Sequence, residues 1–148
     1  MNPAPGPYHQ LVSIRLAHQL MSRIADRGLG TVLASPIDVH LGPGSLVQPD
    51  LVAIRHRNRS IVGAVKVTGV PDLMIEILSP RTRWHDRHRK SERYERAGVR
   101  EFWIVDPEAG CIEQFVLRKG RFAAPVVATS AITLRVFRGV VLDLTEVW

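Results

Sequence analysis

One cysteine, Cys111, is all that the 148-residue chain contains. No intrachain disulfide can staple the fold, and a reducing compartment such as the cytoplasm suits it. Long hydrophobic runs are also missing. Nothing approaches the roughly 18 uncharged apolar residues that a membrane-spanning helix needs. The start, Met1 to Tyr8, is rich in proline and glycine instead of carrying the apolar core of a secretory signal. There is no internal repeat, no low-complexity tract, and no GxSxG, P-loop or dinucleotide fingerprint. Acid is scarce: 14 Asp and Glu stand against 20 Lys and Arg, a formal charge of +6 and a pI near 10.4. That balance favours polyanionic partners, nucleic acid first. What remains is ordinary globular composition, 45% apolar and 23% charged, enough for one domain over 1–148 and incompatible with collagen-like, coiled-coil or wholly disordered chains.

The apolar pattern changes period along the chain. Residues 8–26 read as an amphipathic helix, with Leu11, Ile14, Ala17, Met21 and Ile24 predicted as its inner face and Gly28 as its stop. Strands are expected from Thr31 to Leu41, broken at Pro36, and from Leu46 to Ile54, with a basic loop from Arg55 to Ser60. Asp72 to Leu78 is a short apolar strand with a carboxylate in its middle. Alternation puts Leu73, Ile75 and Ile77 on one face and Asp72, Met74, Glu76 and Leu78 on the other. The expectation is a sheet packed on one side and open to a cleft on the other. After Ser79-Pro80 a very polar helix runs from Trp84 to Ala97 and stops at Gly98. Strands at Phe102–Val105 and Cys111–Leu117, a turn at Lys119-Gly120, and strand-like runs near 131–137 and 140–144 complete a mixed α/β or α+β domain.

Three side chains are candidates for one site. Glu76 sits amid Met74, Ile75, Ile77 and Leu78, where an uncompensated carboxylate costs several kcal/mol, on the order of the penalty for burying a charge. A metal ion, a lysine or a wet cleft must offset it. Asp50 shares a face with Val52 and Ile54. Two carboxylates on neighbouring strands suit one hard divalent cation, which takes the rest of its shell from water and phosphate. Asp86, Lys90 and Tyr94 share one face of the polar helix. From there Lys90 can steady a water and the charge growing on a phosphate oxygen. The same pattern also fits a solvent-facing Glu76 on a one-sided sheet, a turn role for Asp50, and a surface Asp86–Lys90 ion pair. Arg81, Arg83, Arg87 and Arg89, with His85 and His88, form a basic stretch able to grip phosphates or simply to be solvated. His85-x-x-His88 lacks the second ligand pair of a zinc site. Cys111 has no neighbouring histidine motif that would make it a nucleophile.

The segments VQPDL (47–51), PDLMIEILSP (71–80), the spaced Asp86, Lys90 and Tyr94, and AGVREFWIVDP (97–107) together resemble the Uma-two (Uma family) restriction-endonuclease-like proteins of the PD-(D/E)XK superfamily. The resemblance covers roughly residues 8–148. It implies a restriction-endonuclease-like core of helix, three strands, helix and strand, followed by a β tail. It implies a metal-dependent DNA endonuclease working with Mg²⁺ or Mn²⁺. A homodimer is expected, since cutting both strands needs two sites and a shortened sheet calls for a partner, and a cytoplasmic location is expected from the single cysteine. Asp50 then matches the first acid and Glu76 the second, both as metal ligands. The superfamily lysine two residues after the second acid is absent, since position 78 is leucine. Lys90 matches the lysine that this family takes from the following helix. Asp72, Asp86 and Tyr94 match secondary positions. Family members carry an additional strand pair before the first helix, so an N-terminally shortened sheet is expected. The alternative is a catalytically silent nucleic-acid-binding or oligomeric module on a nuclease fold.

Overall fold

The computed structural model describes residues 4–80 and 83–148, at 83–86 the backbone alone. Helix α1 (Pro7–Leu20) begins with proline in its first turn, where the missing N–H costs no helical hydrogen bond, and runs into one wider turn, Met21–Ala25. Strands follow as β1 (Gly30–Ala34), β2 (Val39–Gly42), β3 (Ser45–Val47), β4 (Leu51–Arg55), β5 (Val67–Thr68) and β6 (Leu73–Ile77). Helix α2 (Arg83–Ala97) crosses over to β7 (Glu101–Asp106), and β8 (Cys111–Arg118), β9 (Arg121–Phe122), β10 (Val126–Ala128), β11 (Ala131–Thr133) and β12 (Val141–Asp143) form the tail. Gly98, at φ 83°, closes α2 in the left-handed conformation that glycine adopts freely.

The main sheet has the order β1-β4-β6-β7-β8-β10. β1, β4 and β6 form an antiparallel meander, β6 and β7 are parallel across α2, and β8 returns antiparallel. A separate small sheet, β3-β2-β5, projects from the meander. The strands expected at 31–41 and 46–54 are each divided between these two sheets. Pro36 and Pro49 fall at the divisions, where a residue without an N–H cannot continue a ladder. The basic loop is a 3₁₀ turn, His56–Ile61.

Strand alternation builds two cores. Leu51, Ala53, Leu73, Ile75, Ile77, Trp103 and Val105 face α1 and the C-terminal tail, while Val52, Ile54, Met74, Leu78, Phe102 and Ile104 face α2 and the small sheet. Each fully buried aliphatic contributes about 1.5–3 kcal/mol. Two expectations are corrected here. β6 is covered on both faces, and Glu76 is only 5% exposed, so the sheet does not open to a broad cleft. α1 buries Val12, Leu16, Leu20 and Ile24, whereas Leu11, Ile14 and Met21 face outward. The helix carries two apolar stripes. The sheet takes the one that also brings Gln19 against Asp143, where its amide donates to the backbone carbonyl and accepts from the backbone N–H. Among the described residues no helix is long and apolar enough to cross a membrane.

Candidate active site

The site forms where β4, β6, α1 and α2 meet. Leu51 pairs with Ile75, so one step further out Asp50 stands across from Glu76. Directly opposed residues of an antiparallel pair have Cβ atoms about 4.5–5.5 Å apart. Asp50 is fixed by its own strand partner: the Ile77 N–H donates to Oδ2 at 2.7 Å. Glu76 lies under α2, on the face shared with Met74 and Leu78. Lys90 Nζ donates to its Oε2 at 2.9 Å, and the Tyr94 hydroxyl donates to Oε1. Lys90 and Tyr94 are one helical turn apart, so a single face of α2 supplies both donors.

The electrostatics follow from this enclosure. Burial, reinforced by the negative charge of Asp50 and opposed by Lys90 and Tyr94, lifts the Glu76 carboxyl from 4.5 to about 7. Burial and the Glu76 carboxylate likewise push the Tyr94 hydroxyl up, so it stays a donor at neutral pH. Lys90 keeps a third of its side chain exposed, whereas Glu76 is buried. A fourth group, absent from the sequence-based set, completes the cluster. His9, in the first turn of α1, places Nε2 at 3.1 Å from the Ile77 carbonyl and 3.7 Å from Asp50 Oδ2. Its Nδ1 is buried without a hydrogen-bond partner among the described residues. The one signal for it was an imidazole at the start of an amphipathic helix, and nothing in the sequence gives the direction in which that helix begins.

A family model described as "Putative restriction endonuclease", Uma2, matches residues 1–145. The chain belongs to this family. A solved structure described as a "putative nuclease belonging to DUF820", from Anabaena variabilis ATCC 29413, superposes with a TM-score of 0.80 at 14% identity, over 99% of this chain and 83% of that one. The mixed α+β fold of this Uma2-family chain is therefore that of its structural neighbour. No curated protein matches the chain.

Other expected members of the site fall elsewhere. Asp72, expected as a secondary site residue, lies at the opposite end of β6, four residues and about 13 Å along an extended strand from Glu76. It accepts from Arg55 N at 2.7 Å, Arg55 Nε at 2.9 Å and Asn58 Nδ2. These bonds tie the 3₁₀ turn to the sheet, away from Glu76. Arg87, expected on phosphate, pairs with Glu113 of β8, and its charge is thus already neutralised. Arg89 points to the other flank of α2, beside the β2–β3 turn. Arg81 and the side chains of Arg83, His85 and Asp86 lie outside the described residues.

The donor set suits a hard divalent cation. Asp50 and Glu76 stand on opposed positions of neighbouring chain segments, and burial, with a smaller contribution from Asp50, raises Glu76 despite Lys90. Mg²⁺ needs only one or two protein carboxylates, with water and phosphate completing its shell. Among the described residues no group of three or more His, Cys, Asp or Glu side chains is placed to hold a metal ion. A site completed by substrate is consistent with that pair.

Proposed function

We propose that this Uma2-family chain is a metal-dependent DNA endonuclease in which Asp50 and Glu76 hold Mg²⁺ or Mn²⁺ and Lys90 serves the reacting phosphate. The observation that carries the reading is the convergence of two carboxylates, one on β6 and one at the start of β4, with a helical ammonium that is a third exposed. The bound cation supplies Lewis acidity and a water of lowered pKa. The chain's own residues do the rest. The Ile77 N–H fixes Asp50. Tyr94 orients Glu76 by donating to Oε1. Lys90 bridges buried carboxylate and solvent, so its N–H groups can orient the attacking water and stabilise the charge that develops on a phosphate oxygen. Plasmid nicking with Mg²⁺ or Mn²⁺ tests the reading. Wild type should nick and EDTA should stop it, while Glu76→Ala and Lys90→Ala should each lose about a hundredfold or more, as when a preorganised charge-stabilising group is removed. Equal nicking by all three proteins sinks the proposal.

His9 acts here as a positioning residue for Asp50 and the Ile77 carbonyl. His9→Phe should weaken Mn²⁺ binding about tenfold, the usual cost of losing an outer-shell partner. His9→Gln, which keeps a donor near the Nε2 position, should restore most of it. Calorimetric titration at fixed pH reads this directly, independently of nicking.

Cleaving both strands calls for two such sites, and we propose a homodimer. The outward stripe Leu11, Ile14 and Met21, which is 41%, 63% and 43% exposed, gives it an apolar surface to bury. Sedimentation should show a dimer that Ile14→Glu converts to monomer, and a monomeric wild type removes the idea.

A further inference from the structure

We propose that the groove between α2 and the β2–β3 turn is the track along which this protein holds the DNA backbone, with Arg89, Arg93 and Arg96 as its phosphate contacts. The proposal rests on the endonuclease reading for its choice of ligand, and on separate residues for its evidence. Successive helical residues are turned by about 100°, so α2 presents three flanks. Lys90 and Tyr94 point inward to Glu76. Arg87 and Glu95 point toward the tail, where they meet Glu113 and the Phe122 N–H. Arg89, Arg93 and Arg96 make up the third flank, and together with Leu41, Gly42, Pro43, Gly44 and Ser45 they line a groove of about 620 Å³.

Two properties of this groove point to an anionic polymer. First, three guanidiniums line one flank of the groove, and among the described residues none of them has a carboxylate partner. Unpaired arginines at positions i, i+4 and i+7 repel one another, and a ligand carrying regularly spaced negative charge relieves that. The stripe is about 10 Å long at 1.5 Å per residue, which matches about three phosphates at 3.4 Å of rise per strand. Second, the facing wall is Gly-Pro-Gly, with Gly44 at φ 71° and no atom within 4 Å of where a Cβ would stand on Gly42 or Gly44. A backbone can approach it closely and meets no side-chain charge there. Arg89 and Arg93 adjoin Lys90 and Tyr94 in sequence, so a strand lying in the groove passes directly beside the catalytic pocket. The one acid of the lining, Glu92, opposes binding and provides a control of opposite sign.

The test is fluorescence anisotropy of a short labelled DNA duplex in EDTA, read as log affinity against log salt concentration. Arg89→Ala, Arg93→Ala and Arg96→Ala should each weaken binding and reduce the salt slope by about one, the signature of one lost phosphate contact. Glu92→Gln should tighten binding, which no loss of folding would do. Arginine variants with the wild-type slope, or a wild type that does not bind duplex at low salt, overturn the track. Plasmid nicking separates this from the reading it rests on. If wild type nicks and the arginine variants keep the full slope, the track falls and the nuclease stands. If the slopes drop as expected and wild type never nicks, the track stands without the nuclease.

Discussion

Glu101→Ala should be the most damaging single substitution for the fold, costing about 3–5 kcal/mol, as when one partner of a buried charged network is removed. Glu101 opens β7, is 0% exposed, and has no cationic partner among the described residues. Its charge is carried by four N–H donors. Trp103 Nε1 and Gln114 Nε2 donate to Oε1 at 2.8 and 2.7 Å, and the backbone N–H groups of Arg135 and Val136 donate to Oε2 at 2.8 and 2.9 Å. One oxygen thus holds β7 to β8, and the other holds the main sheet to the segment that follows β11. Alanine would leave all four donors without this acceptor, those of Trp103 and Gln114 in buried bonds and those of Arg135 and Val136 in part-buried ones, and each unmatched buried group costs about 1–3 kcal/mol before relaxation. For a chain of this length the melting temperature should drop by roughly 10 °C or more. Glu101→Gln should fall between, because its amide keeps one acceptor and turns an N–H₂ toward N–H donors. Thermal melts followed by circular dichroism give both values. A shift of only a degree or two for alanine would mean that water takes over the four bonds. Nicking per folded molecule should be unchanged, since Glu101 faces α1 and the tail while the active pocket faces α2.

Why some of this was legible in the sequence and some was not depends on where each residue finds its partners. Glu76 was visible because its environment is local. An acid among Met74, Ile75, Ile77 and Leu78 needs a compensating partner if its face of the strand is covered, and the short link through Ser79-Pro80 put α2 within reach; that the face is covered, and not open to solvent, came only from the structure. The division of the sheet at Pro36 and Pro49 was half visible: proline marks the break, but pairing decides that the outer pieces form a second sheet. The inner face of α1 was not legible. Leu11, Ile14 and Met21 satisfy helical spacing as well as Val12, Leu16 and Leu20 do, and the decision rests with Gln19 and its two bonds to Asp143, 124 residues away. His9, Asp72 and Glu101 share that reason. Their roles are set by main-chain or amide groups 14 to 68 residues distant in sequence or on separate strands, and hydropathy period carries no information about these.

Glu76 also makes the site sensitive to pH in two opposed ways. Its carboxyl is raised from an ordinary 4.5 to about 7 in the folded protein, so the folded state binds this proton more tightly than the unfolded state does. Below pH 4.5 the group is protonated in both states and its contribution to stability is complete. As the pH rises from 4.5 to 7 the unfolded chain releases the proton first, and stability is lost until the folded carboxyl ionises as well. The loss is about 3 kcal/mol, from 1.36 kcal/mol per pH unit. Glu76→Gln cannot ionise, and the Tyr94 hydroxyl can turn to accept from the amide. Relative to wild type it should therefore gain stability between pH 5 and pH 7 and level off above that in urea titrations, and a constant difference throughout would show that the carboxyl is not displaced. Catalysis should move the other way. A divalent cation takes the ionised carboxylate, so nicking by wild type should climb through pH 7 while the apo fold weakens, and added Mn²⁺ should raise the melting temperature more at pH 8 than at pH 6. Glu76→Ala should lose both the nicking and the Mn²⁺-dependent shift. Asp50→Asn should lose them too, although it leaves Glu76 with less repulsion and a lower pKa. An Asp50→Asn protein that is more stable than wild type at pH 8 and no longer nicks would separate the two roles proposed for the carboxylate pair: the charge density proposed to hold the cation is also what makes the two acids repel each other.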